Sequence, residues 1–154
     1  MTRRARAACA FALVGALAGC AGGADEAAAL GLTGQSWQIV ALHTDPAAPG
    51  ALPPDAAGKA TLEFGAASMR GLTGCAPLRA TTTAEGALLR LDEVEVADPG
   101  DCVGGSRYVH DQLVGLFAAG TTFRVRHLGQ REALLRKEGA APGAEAPSLR
   151  MMAL

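Results

Sequence analysis

Short runs of alternating apolar and polar residues recur along most of this chain, and that period-two pattern restricts it to sheet structure. Lys59–Phe64 is the clearest case, with Ala60, Leu62 and Phe64 set against Lys59, Thr61 and Glu63. Alternation of this kind puts one set of side chains on each face of a strand. Gln35–Leu42 places Trp37, Ile39 and Ala41 together, and Thr122–Leu128 sets Phe123 and Val125 against Arg124 and Arg126. Ser68–Gly71 reads as a return strand, and Glu132–Arg136 as a closing one. Arg79–Thr83 and Ala87–Leu91 flank Ala84-Glu85-Gly86 as a hairpin. Leu89 and Leu91 have the opposite parity to Val94 and Val96, so a bulge is expected at Asp92-Glu93. Between the first two strands, four prolines in residues 43–58 forbid a strand interior and mark a long surface loop.

One segment has helical spacing. Val109, Leu113, Leu116 and Phe117 recur on one face, Ser106 suits the N-cap and Gly120 the C-terminal cap. The expected fold class is therefore α+β: about seven antiparallel strands in a sheet curved around one α-helix, occupying residues 31–138.

The ends read differently. Arg3, Arg4 and Arg6 precede twelve uncharged, apolar residues, 7–18, which suit a signal peptide; a spanning helix needs about 20. The run closes in Leu17-Ala18-Gly19-Cys20, similar to the lipobox of bacterial lipoproteins. That resemblance implies cleavage before Cys20, a diacylglycerol on its thiol, and attachment to a membrane in the cell envelope. Residues 20–30 are then expected to be a tether that does not pack on the domain, and 139–154, rich in Ala, Pro and Gly, a disordered tail. Ala21 follows the anchor cysteine. In Gram-negative lipoproteins the lack of Asp there resembles outer-membrane sorting, facing the periplasm. In a Gram-positive cell the outer face of the cytoplasmic membrane is implied.

Without its first nineteen residues the chain carries 11 basic and 15 acidic side chains, which argues against a nucleic-acid partner. Its 12 Arg against two Lys, one Ile and no Asn reflect GC-rich codons before they reflect function. Of four cysteines, Cys9 leaves with the leader and Cys20 takes the lipid. Cys75 and Cys102 remain, an even pair in an exported domain. Bridged, they would close a loop of about 28 residues, worth about 3–4 kcal/mol. Two separate buried thiols are the alternative; a metal site lacks the usual companion spacing.

Gly34-Gln35-Ser36-Trp37, Ala60–Phe64 and Gly71-Leu72-Thr73-Gly74-Cys75 together resemble the META domain, also called HslJ-like. The order hairpin, second cysteine, helix and two closing strands extends that resemblance over 31–138. It implies an envelope protein linked to stress and antibiotic tolerance, with no defined ligand. Two departures stand out: Ala76 occupies the family's Asn position, and Ala97–Cys102 (ADPGDC) replaces its usual approach to the second cysteine. Gly71 and Gly74 are expected at positive φ, turning the chain so that Cys75 points inward. Trp37 is expected to fill space between sheet and helix, with ligand stacking as the lesser reading.

Catalytic signatures are missing. Gly104-Gly105-Ser106 lacks the later glycine of a nucleophile elbow, and neither a phosphate-binding loop nor a dinucleotide fingerprint occurs. No cofactor is expected. His43, His110 and His127 are scattered over loop, helix and strand. Glu93 and Glu95 read as a solvated strand face, as do Arg124 and Arg126, which serve second as an anionic-ligand or partner patch. The functional expectation is a non-catalytic, lipid-anchored envelope module acting on an unknown envelope protein. The alternatives are a carrier of a small apolar ligand, needing a cavity beside Trp37 and Phe64, and an enzyme or hydrolase inhibitor.

Overall fold

The computed structural model describes residues 22–47 and 50–154; the lipobox and Cys20 lie outside that range. A helix, α1 (Gly22–Ala29), leads into eight strands: β1 (Ser36–His43), β2 (Ala60–Phe64), β3 (Ser68–Thr73), β4 (Pro77–Glu85), β5 (Leu88–Val96), β6 (Thr122–Gly129), β7 (Glu132–Lys137) and β8 (Ser148–Ala153), with α2 (Gly104–Leu116) between β5 and β6. Each strand pairs antiparallel with the next, and β1 pairs with β8, so the sheet closes into a barrel. The α+β class and antiparallel pairing agree with the sequence. The expected sheet of about seven strands curved around one helix does not form: eight strands close on themselves, and α2 lies over one end.

The inside is filled by the alternating apolar set. Trp37, Ile39, Leu62, Met69, Leu91, Phe123, Leu135, Leu149 and Met151 are essentially inaccessible to solvent. Outward positions carry Arg and Glu, several paired across strands, as in Arg70–Glu63 and Arg79–Glu95. An apolar interior under a charged exterior reverses the pattern of a lipid-spanning barrel. No helix among the described residues is long and apolar enough to cross a membrane.

Both ends are plugged. At the end where β1 starts, Ala27 and Leu30 of the α1 segment and Leu32 beyond it join the core. The Trp37 indole donates to the Leu32 carbonyl at 2.8 Å, and His127 Nε2 donates to that of Leu30 at 2.7 Å. At the other end, α2 lowers Val109, Leu113 and Leu116 onto the core.

Two boundary expectations need correction. Of the expected tether at 20–30, the described residues 22–30 are not detached: Gly22–Ala29 is helical and Ala27 and Leu30 are buried. Residues 139–154 are not a disordered tail. Leu149, Met151 and Ala153 alternate with exposed neighbours in the strand that completes the barrel. Without β8 the inward faces of β1 and β7 would meet water along an open seam.

The parity change in β5 is resolved as the sequence suggests. Thr81 pairs with Glu93 and Thr82 with Leu91, which leaves Asp92 as the extra residue of a bulge.

Candidate functional site

The cysteine turn is the most elaborately built feature. Cys75, in the β3–β4 turn, and Cys102, just before α2, form a disulfide with Cα atoms 5.8 Å apart. Gly74 has φ +98°, the left-handed region that favours glycine, as expected. Gly71 differs: its φ is not positive, but a Cβ there would stand 1.9 Å from the Thr61 carbonyl oxygen. The constraint at 71 is close approach of the β2 and β3 backbones, which only a hydrogen side chain permits.

Ala76 is itself buried, so the polar work in this turn falls to Thr73. Its Oγ1 donates to the Ala76 carbonyl at 2.9 Å and accepts the Ala76 N–H at 3.1 Å. With that proton given away, the 2.7 Å contact to His110 Nδ1 has the imidazole as donor. Thr73 and His110, both buried, thus fasten the turn to α2. In the sequence His110 stands apart from His43 and His127. Its position one residue after Val109 carried no signal that it would face Thr73.

Ser106 was expected as the helix cap, but α2 begins at Gly104, and the N-cap residue, Val103, makes no side-chain capping bond. The cap comes from the long loop: Asp55 Oδ2 accepts the Gly105 N–H at 2.8 Å. A carboxylate there also meets the positive end of the helix dipole. Ser106 instead donates to the Asp55 carbonyl at 3.1 Å and accepts from Lys59 Nζ at 3.2 Å. A serine beside a lysine invites comparison with a nucleophile and its base. Here the hydroxyl proton is committed to a carbonyl, the serine is buried, and Lys59 is exposed to water. The cluster locks loop to helix. Gly120, expected at the helix C-cap, lies beyond it: α2 ends at Leu116 with Phe117 as cap, and the Gly120 N–H donates to the Leu91 carbonyl.

The remaining candidates disperse. Trp37 is in the barrel core, beside His127 at 6.2 Å between ring centroids, and offers no exposed face for stacking. His43 is exposed at the end of β1. Glu93 and Glu95 are exposed on β5, Glu95 against Arg79 at 2.9 Å. Arg124 and Arg126 are exposed on β6, Arg124 in a two-point contact with Glu138. Among the described residues no group of three His, Cys, Asp or Glu side chains is placed to hold a metal. A cavity of about 520 Å3 forms a trough across β3, β4 and β5, bordered by Arg70, Arg79, Glu93 and Glu95. Another of about 410 Å3 runs past Ser36, Glu63, Phe64 and Arg70. There Glu63 accepts from Arg70 Nε at 2.8 Å and the Ser36 hydroxyl at 2.9 Å, which hold its carboxyl below its ordinary value.

No family model and no curated protein matches the chain. Among solved structures, an NMR structure of a protein from Burkholderia xenovorans is similar over 84% of this chain and 88% of that one, with a TM-score of 0.60 at 14% identity. At that identity the likeness is one of fold alone.

Proposed function

We propose that this chain is a lipid-anchored, non-enzymatic envelope protein of META type that acts through the outside of its barrel. The observation that carries this reading is the filled interior. Trp37, Ile39, Leu62, Phe123 and Met151 occupy the space that a carrier of this architecture would reserve for its ligand. The carrier reading required a cavity beside Trp37 and Phe64. Trp37 is buried and hydrogen-bonded, while Phe64 borders an outer groove whose other walls include Glu63 and Arg70. An inhibitor would need a projecting loop, yet residues 50–58 are drawn in, with Ala56 fully buried and Asp55 fixed to α2. The buried polar side chains Thr73, Ser106 and His110 are satisfied by one another or by backbone.

Native and denaturing mass spectrometry of the protein extracted from its own membranes tests the reading. The expected denatured mass is that of a chain starting at acylated Cys20, and the expected native mass adds no small molecule. An unacylated chain starting elsewhere would overturn the anchor. A stoichiometric small molecule released on unfolding would overturn the filled-barrel reading in favour of a carrier.

A further inference from the structure

Charge is unevenly spread around the barrel. Residues 122–154, which build β6, β7 and β8, hold six Arg or Lys against three Glu, whereas residues 60–96, which build β2 to β5, hold three Arg against five Asp or Glu. Register stacks the cations on the outer face: Arg124 pairs with Arg136, and Arg126 flanks Leu134 with Arg150 on its other side. Glu138 and Glu132 neutralise Arg124 and Arg150 in part, at 2.9 and 3.2 Å. At the α1 end of the same face three aliphatic side chains stand outward beside Arg131 and Glu132. Leu128, Met152 and Leu154 are 44%, 46% and 67% exposed.

This end is also where the chain enters the fold. Cys20 stands two residues ahead of α1, and two residues span at most about 7 Å. Because α1 packs across the barrel mouth against the end of β4 rather than being held off it, a lipid on Cys20 would bring that end of the barrel, though not one wall of it, down to the headgroups. A rim of exposed aliphatic side chains backed by arginines suits such a surface: the apolar groups enter the interfacial region and the guanidiniums meet phosphates.

We infer that the outer face of β6–β8, at the α1 end, docks on an anionic phospholipid bilayer, the one that holds the lipid anchor. The inference rests on the proposed acylation of Cys20 for its geometry, and on the charge and exposure of this face for its chemistry. On the β3–β5 wall Arg79 is paired with Glu95 and Glu93 is exposed, so that wall has no comparable excess of cations.

The test uses the membrane-extracted protein reconstituted into vesicles and labelled with an arginine-specific reagent. In vesicles containing phosphatidylglycerol, Arg126 and Arg150 should be protected relative to Arg70 and Arg79, and high salt or pure phosphatidylcholine should remove the protection. Reversing two basic charges with Arg126→Glu and Arg150→Glu should weaken that association by on the order of tenfold or more. The same reversal at Arg70 and Arg79 should leave it unchanged. Equal labelling of all four arginines in anionic vesicles would overturn the docking face, as would protection that does not depend on lipid charge, which would point to a protein partner or self-association. The mass of the N-terminal peptide separates the two readings. Acylated Cys20 without selective protection removes the face and keeps the anchor; protection with unacylated protein does the reverse.

Discussion

At residue scale, the turn that carries Cys75 shows how different restraints look alike in a sequence. Gly71 and Gly74 both read as positions of positive φ, yet only Gly74 has it, while Gly71 is a matter of space. Gly71→Ala should therefore be destabilising although its backbone angles suit alanine. The added carbon meets a backbone carbonyl in the adjacent strand, so relief requires moving a strand pair. A loss of about 1–3 kcal/mol is expected in urea unfolding without reductant. A neutral result would show that β2 and β3 can part without cost. Glu63 yields a pH prediction. Its carboxyl is lowered by hydrogen bonds from Arg70 and Ser36 and by the Arg70 charge, from an ordinary value of 4.5. A lowered folded-state value favours the folded state above the unfolded value, and the benefit is lost as pH falls through the folded one. Glu63→Gln should thus flatten the acid side of the stability curve below about pH 4.5, and do so less at high salt because the pair is exposed. Unchanged acid sensitivity would mean that other carboxylates carry it.

At the scale of elements, what was legible followed from how much apolar surface each one buries. Seven strands show period-two alternation strong enough to read, and the Asp92 bulge was visible as a parity conflict between Leu91 and Val94. β8 has the same alternation in Leu149, Met151 and Ala153, but only six residues of it, after a stretch of Ala, Pro and Gly that masked it. The α1 segment contributes Ala27 and Leu30 to the core, too short a stripe for helical period to stand out from an Ala-rich tether. The Asp55 cap on α2 arises from a residue 50 positions away, which local spacing does not reveal. Adjacent methionines separate the strand from the tail reading. Met151 is fully buried and Met152 is 46% exposed. Met151→Ala should cost about 2–5 kcal/mol. Met152→Ala should stay within about 0.5 kcal/mol. A disordered segment would leave both near zero.

At the scale of the whole molecule, closure ties the two ends of the chain into one structure. β1 pairs with β8 from Trp37–Ala153 to His43–Ser148, so the first and last strands form a single seam. The disulfide adds a second long-range link, between positions 27 apart, joining the β3–β4 turn to the approach of α2. Replacing both cysteines with serine enlarges the unfolded ensemble, and on the chain-entropy model this costs about 3–4 kcal/mol. The native fold should survive the change. Thr73 still grips Ala76 and His110, and Asp55 still caps α2, so the elements that the bridge joins are held independently of it. Urea unfolding of the double serine variant should therefore show a lowered midpoint and a single transition whose slope matches that of the parent. A separate early transition, reported by loss of helix before sheet, would mean that the bridge, rather than the Thr73–His110 and Asp55 contacts, keeps α2 on the barrel end. In that case reduction alone would uncover the core beneath α2, and its packing would depend on an oxidising compartment.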